Sequence, residues 1–119
     1  MKWFIVKFLY QIEIGDMVRH HQFDEQIRLL LAFDKAEALL KAESMANGFH
    51  EPFDNFDGAK VNWKFICIAG LREIKSPHDG QEIFSALHEP EDVQAFLGDA
   101  YRQKEYLEME LMDCNPIKL

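Results

Sequence analysis

Five histidines and two cysteines are the side chains of this chain best suited to metal binding or nucleophilic chemistry. His20 and His21 are adjacent, so in an extended segment their rings would point to opposite faces and could not bind one ion together. No His-Glu-x-x-His or Cys-x-x-Cys spacing occurs elsewhere. We therefore predict no metal site and no cofactor.

Nucleophilic and nucleotide-binding patterns are also missing from the sequence. Cys67 lies in an apolar segment, where a cysteine usually behaves as a small core residue, and we expect both Cys67 and Cys114 to be free thiols. No Walker loop, Gly-x-Gly-x-x-Gly loop or Gly-x-Ser-x-Gly elbow is present. A small enzyme stays open as an alternative, with acid and base groups drawn from His50, His78, His88 and nearby carboxylates.

His88, Glu91 and Asp92 form the densest local cluster of such groups. They stand where the last predicted helix begins, and carboxylates at that end stabilise the helix dipole. Capping is therefore favoured over metal binding or acid–base catalysis.

Length and composition predict one folded domain. The chain has 119 residues, of which 48% are hydrophobic, and it is rich in Phe. We expect a single domain over residues 1–113 and a C-terminal tail over 114–119. The first apolar run is too short for a signal peptide and is interrupted by Lys7, and no run approaches the ~20 apolar residues of a membrane span. These features predict a cytoplasmic protein.

The net charge of −8 argues against two classes of partner. Residues 89–113 contain eight acidic side chains against only Arg102 and Lys104. Such a surface would repel the phosphate backbone of a nucleic acid and the anionic headgroups of a membrane. We therefore expect neither a nucleic acid nor a membrane as a partner.

The N-terminal segment alternates most regularly. One face of this predicted strand is formed by Phe4, Val6, Phe8, Tyr10, Ile12 and Ile14. Part of the opposite face is apolar as well, through Trp3, Ile5 and Leu9, so we expect something to cover it. After a turn at Gly15-Asp16, a second strand is expected to bury one apolar face, made of Phe23, Ile27, Leu29, Leu31 and Phe33. Its polar residues Asp24, Gln26 and Arg28 would lie opposite.

Asp34 is a suitable N-cap, and it predicts a helix over about residues 35–47. The Phe-rich stretch 49–58 is expected to dock its rings on the core. A central strand then runs from 61 to 74, with one face made of Val61, Trp63, Phe65, Cys67, Ala69 and Leu71 and the other including Ile66 and Ile68. A strand over 81–88 and an amphipathic helix from about Pro90 complete the pattern.

The fold class that follows is α+β. We predict two strand-strand-helix units that form a mainly antiparallel sheet of about four to five strands with two helices.

Several short motifs resemble a family of small bacterial proteins known as domain of unknown function 4288. They are the opening Trp3 to Leu9, the strand entry Phe23 to Ile27, Ala36 to Leu39, Asp57-Gly58, Val61 to Phe65, and Gly80 to Ile83. The resemblance covers roughly residues 3–88. The family brings no assigned activity, so the resemblance implies no functional residues.

An apolar outer sheet face suggests an interaction surface. Its residues would be Trp3, Ile5, Leu9, Leu30, Ile66 and Ile68. If both helices cover the other face, this area requires a partner, for which a symmetric homodimer is the commonest solution. If one helix covers each face, the monomer is complete. We favour the dimer slightly, and therefore a noncatalytic binding or protein-interaction domain.

The last helix ends on acidic residues that oppose the helix dipole, namely Glu105, Glu108, Glu110 and Asp113. The plainer interpretation is a solvated helix end. Alternatively Tyr101, Tyr106 and neighbouring apolar residues dock on another chain while the carboxylates meet its basic groups, which would make the protein an acidic neutraliser of a basic partner.

Overall fold

A computed structural model describes residues 1–15 and 21–113. The chain divides into two compact units, one spanning Met1–Ile83 and one beginning at Phe84. The single domain expected over residues 1–113 stays a prediction. Asp16, His20, Cys114 and the tail over 114–119 lie outside the described residues.

The first unit is a four-stranded antiparallel sheet with one helix. Its strands are β1 (Lys2–Ile14), β2 (Gln22–Ala32), β3 (Phe53–Asp54) and β4 (Lys60–Ile74), in the spatial order β2-β1-β4-β3. Helix α1 (Lys35–Met45) follows β2 and leads into a single 3₁₀ turn, Ala46–Gly48. The second unit contains helix α2 (Val93–Asp113). The predicted α+β class, with an antiparallel sheet and two helices, is confirmed.

The prediction of a strand over 81–88 is wrong, because that stretch has no regular secondary structure. Gln81 instead belongs to the preceding turn. Its backbone N–H donates to the carbonyl of His78, and its side-chain amide donates to the carbonyl of Lys75. The sheet gains its fourth strand from Phe53–Asp54, within the stretch whose rings were expected to dock on the core. Phe49 does pack on the core, but Phe53 and Phe56 are exposed, so that prediction is wrong for these two rings.

Each of the two helices, α1 and α2, is preceded by an Asp whose side chain caps its first turn. Asp34 accepts a hydrogen bond from the backbone N–H of Glu37 at 2.8 Å, as predicted. In the second unit, Oδ1 of Asp92 accepts from the N–H of Ala95 at 3.0 Å. The capping role favoured for the acidic residues near His88 is therefore confirmed for Asp92.

The core lies between α1 and the even-numbered face of β1. Phe4, Val6, Phe8 and Tyr10 are at most 1% exposed. Small helix residues, Ala38, Ala42 and Ala46, lie against them and allow a close approach. The Tyr10 hydroxyl donates to the Ala46 carbonyl at 2.6 Å and ties the end of the helical segment to the sheet.

Strand β2 is turned the opposite way from the prediction. Leu30 lies opposite Phe4 and is 4% exposed, whereas Leu29 lies opposite Ile5 and is 59% exposed. The antiparallel register pairs even residues of β2 with the even, core-facing residues of β1. The apolar set containing Phe23 and Ile27 is consequently exposed on the outer face, which we define as the face of the sheet opposite α1.

Strand β4 changes phase twice. Against β1, the register shifts between Lys7 and Phe8 and again between Leu9 and Tyr10, and each shift leaves one extra residue in β4. As a result Phe65 and Ile68, three positions apart, both pack on the core. Cys67 is exposed, so its expected burial is wrong, although it is a free thiol as predicted.

Candidate functional site

The candidate site is the outer side of β2, by which we mean its unpaired edge together with its side chains on the outer face. Strand β2 is an edge strand of the sheet. Phe23, Ile27 and Leu29 alternate along it and are 57%, 47% and 59% exposed. Large apolar side chains that recur on one side of an edge strand are a feature that sheet proteins usually avoid or cover. Among the described strands, β1 alone pairs with β2, so the other side of β2 has no strand partner there.

Of the neighbouring β1 residues, Trp3 extends this exposed apolar surface and Ile5 does not. Trp3, opposite Leu31, is 43% exposed, and Ile5, opposite Leu29, is 7% exposed. An ion pair between β1 and β2 borders this surface: Lys7 Nζ lies 3.9 Å from a carboxylate oxygen of Glu25. The outer face therefore has an apolar stretch on β1 and β2 with the Lys7–Glu25 ion pair at its side.

The residues predicted for the interface separate into two groups in the structure. Trp3, Ile5 and Leu9 lie on the outer face, and Ile66 is 42% exposed at one of the register shifts. Leu30 and Ile68 instead pack on the core cluster, because the β2 register and the β4 shifts turn them toward α1. Whether the outward residues form an interface stays a prediction.

Sequence reasoning missed Phe23, Ile27 and Leu29 as surface residues. Their alternation with Asp24, Gln26 and Arg28 was visible, but alternation alone does not say which face meets the core. The signal available was the pair Leu30 and Ala32, because small and apolar residues directly before the Asp34 cap are suited to lie beneath a helix.

On the core side, β2 carries a polar ladder formed by Asp24, Gln26 and Arg28. The Gln26 amide nitrogen donates to Asp24 at 2.8 Å, and its carbonyl oxygen accepts from Arg28 Nη2 at 3.0 Å. Asp24 also accepts from the indole N–H of Trp63 at 3.1 Å. Because the amide dipole points its donor at the carboxylate and its acceptor at the guanidinium, both charges are stabilised.

His50 closes this ladder from the segment after α1. Its Nε2 lies 2.7 Å from the amide nitrogen and 3.0 Å from the amide oxygen of Gln26, so the bond it makes depends on its tautomer. Its ring stacks on Trp63 and meets Tyr10 edge-on. These contacts hold the His50 ring against β1, β2 and β4.

The guanidinium of Arg28 lies over the Phe49 ring, 3.7 Å from its centroid. Its buried Nε has no hydrogen-bond partner among the described residues, and no described carboxylate forms an ion pair with it. Burial raises the pKa of the nearby Tyr10 hydroxyl; the Arg28 charge opposes this shift, and Asp24 adds to it.

The structure describes each of the other two histidines of the enzyme alternative within its own unit. His78 lies in the turn after β4, near the Ser76 carbonyl, and its backbone N–H donates to the Gln81 side chain. His88 belongs to the second unit, where its ring meets Phe96. Within residues 1–15 and 21–113, no group of three or more His, Cys, Asp or Glu side chains could hold a metal ion.

Helix α2 has no buried residue within its described length. Tyr101 and Tyr106 are 63% and 67% exposed. Glu105, Glu108 and Glu110 are exposed too, and Glu108 lies 3.8 Å from Lys104 one turn earlier. A docking role for this helix stays a prediction. No helix in the described ranges is both long and apolar enough to cross a membrane.

Comparison with known proteins identifies the family of the chain. No curated protein matches it, and no solved structure matches it. The family model for Domain of unknown function (DUF4288) matches residues 3–85, which include β2, β3, β4, α1 and all of β1 except Lys2, and which exclude α2. The chain therefore belongs to the DUF4288 family.

Proposed function

We propose that the protein is a noncatalytic interaction domain that forms a homodimer through the outer side of β2. The observation that supports this function is the exposure of Phe23, Ile27 and Leu29 on a sheet edge. Burying these side chains would contribute about 25 cal/mol for each Å² of apolar surface removed from water. A partner strand at this edge would also satisfy backbone groups that β1 leaves unpaired.

A second copy of the chain is the occupant that the charges favour. Strand β2 carries an acidic residue, Asp24, and a basic one, Arg28, on the same side and four positions apart. An antiparallel copy reverses this order, so each charge can meet its opposite. We place this dimer in the cytoplasm, because the sequence has no apolar run long enough for a membrane span, and the net charge of −8 leads us to expect neither nucleic acid nor membrane as its ligand.

The test is the solution mass, measured by light scattering on a size-exclusion column over a range of concentrations. We expect a mass of twice the 14.0 kDa chain that falls toward the monomer on dilution. Leu29→Asp should shift the protein to the monomer, because a carboxylate in the contact loses apolar burial and must be desolvated. Leu40→Asp is the matched control, since Leu40 is 70% exposed on α1, which packs on the other face of the sheet from Leu29.

Two results would contradict the proposal. One is a monomer at every concentration of the unaltered protein. The other is an equal effect of Leu29→Asp and Leu40→Asp, which would show that a general loss of apolar surface, and not this edge, governs the association.

The exposed acidic end of α2 favours a second candidate, the acidic neutraliser of a basic protein. Its distinguishing test replaces Glu105, Glu108 and Glu110 with Gln and measures capture of a polylysine resin. Weaker capture at low salt is expected if these carboxylates make the contact. Unchanged capture would exclude them as the contact.

A further inference from the structure

We infer that two copies of the chain join β2 to β2 in one antiparallel register, with the two-fold axis at Gln26, so that the two sheets become one. This inference rests on the proposed homodimer and specifies its geometry. In this register Asp24 of each protomer lies opposite Arg28 of the other. Four features of the structure favour this register over the registers centred on Glu25, Ile27 or Arg28.

The first feature is the set of groups that Asp24 and Arg28 leave unused. Both hydrogen bonds that Asp24 accepts reach Oδ2, and no described residue donates to Oδ1. Arg28 has no ion-pair partner in the part of the chain that the structure describes. Directly opposed residues of antiparallel strands have Cβ atoms about 4.5–5.5 Å apart, which is within reach of an Arg–carboxylate pair.

The second feature is the cost of registers centred on a charged residue. A two-fold axis at Glu25 would place two Glu25 carboxylates opposite each other, and an axis at Arg28 would do the same for two guanidinium groups. Like charges directly opposite each other destabilise a strand pair. Both registers are therefore disfavoured relative to the one centred on Gln26.

The third feature is Lys41, whose ammonium donates to the backbone carbonyl of Leu31 at 2.9 Å. A two-fold axis at Ile27 would pair residues 23–31 and bring a partner strand onto this carbonyl. It would also place Asp24 opposite Leu30, which leaves the carboxylate without a charged partner. The Gln26-centred register pairs residues 22–30 and leaves the Lys41 bond in place.

The fourth feature is the apolar side of the strand. In the Gln26-centred register, Phe23 of one protomer lies opposite Leu29 of the other, and this pair occurs twice. These are the most exposed apolar side chains of β2, at 57% and 59%. Aromatic and aliphatic side chains facing each other across strands are a stabilising combination. The polar pairs on the core side and the apolar pairs on the outer face therefore both favour the Gln26-centred register.

Charge reversal in two separate chains tests the register. Asp24→Lys alone places two cations opposite each other, and Arg28→Glu alone places two carboxylates opposite each other. Each variant should therefore dimerise roughly tenfold more weakly than the unaltered protein. An equimolar mixture should restore the affinity, because each mixed strand pair then contains one Lys–Glu contact and one Arg–Asp contact. Sedimentation equilibrium measures all three samples, and circular dichroism confirms that each variant is folded.

The outcomes separate this inference from the proposed function. Single variants that dimerise as tightly as the unaltered protein, or a mixture that recovers nothing, would overturn the register and leave the homodimer standing. A monomeric unaltered protein would overturn both.

Cysteine pairing at exposed outer positions tests the same register without altering the polar ladder. In a Cys67→Ser, Cys114→Ser background, Glu25→Cys and Ile27→Cys are made in separate chains and oxidised singly and as a mixture. The Gln26 axis predicts a disulfide between the two unlike chains in the mixture, because residues 25 and 27 are directly opposed. A disulfide between like Ile27→Cys chains, between like Glu25→Cys chains, or none at all would overturn it.

Discussion

Strands β1 and β2 are neighbours with similar alternating patterns, yet they place their apolar faces on opposite sides of the sheet. In β1, Phe4, Val6 and Phe8 are buried beneath α1. In β2, Phe23, Ile27 and Leu29 point away from α1 and are half exposed. The difference teaches that apolar alternation identifies a strand but not its buried face. The apolar face that β2 turns outward is the feature on which the proposed dimer rests.

Matched Phe→Ala substitutions should separate the two strands most clearly. Phe8 is 0% exposed and contacts the rings of Phe49, Tyr10 and Phe65, so Phe8→Ala should lower the free energy of unfolding by about 3–5 kcal/mol. Phe23→Ala should cost the monomer less than about 1 kcal/mol, because Phe23 is already half exposed. Urea denaturation at a concentration that keeps the chain monomeric measures both. Equal losses would contradict the assignment of buried and exposed faces.

The register that turns the apolar face of β2 outward also places its polar ladder, Asp24, Gln26 and Arg28, on the core side. Breaking this ladder should cause the second-largest loss in the free energy of unfolding. Gln26→Leu leaves Arg28 Nη2 and Asp24 short of a partner, so it should cost roughly 1–3 kcal/mol. Gln22→Leu, the same change at an exposed position of β2, serves as control. A Gln26→Leu variant as stable as the control would show that the ladder contributes nothing to holding β2 in its register.

The stability of the protein should depend on alkaline pH through Tyr10, a β1 residue whose pKa is also affected by Arg28 and Asp24 of β2. Burial raises the pKa of its hydroxyl above the ordinary value of 10.0, so the unfolded chain releases this proton first as pH rises. The stability contributed by the neutral hydroxyl is complete below pH 10.0 and is lost as pH rises through the higher pKa of the folded state.

Tyr10→Phe should therefore flatten the alkaline decline relative to the unaltered protein. At neutral pH the variant should be less stable by about 1 kcal/mol, because the hydrogen bond to the Ala46 carbonyl is lost. Thermal unfolding at a series of pH values from neutral to above 10.0 records both effects. Parallel curves for the two proteins would contradict the burial of this hydroxyl.

Much of the fold could be predicted because its signals are local. The alternation of β1, the Asp34 cap and the amphipathic pattern of α2 each depend on residues close in sequence. The family resemblance was likewise carried by short motifs between Trp3 and Ile83, and the family model matches residues 3–85.

The candidate site depended on features that are not local. The outward turn of Leu29 is decided by its pairing with Ile5, and the exposure of Cys67 by two register shifts between β4 and β1. Neither pairing leaves a mark in the sequence of the strand itself. The error at 81–88 has a different cause: the turn after β4 extends as far as Gln81, which is hydrogen-bonded to Lys75 and His78.

Hydrogen exchange at two protein concentrations tests the central claim most directly. Strand β1 is paired on both sides within one chain, so its amides should exchange at the same rate at low and high concentration. The amides of β2 between residues 22 and 30 should exchange more slowly at high concentration, because the second copy covers them. Concentration-independent exchange throughout β2, in samples that light scattering shows to be monomeric and dimeric respectively, would contradict the account.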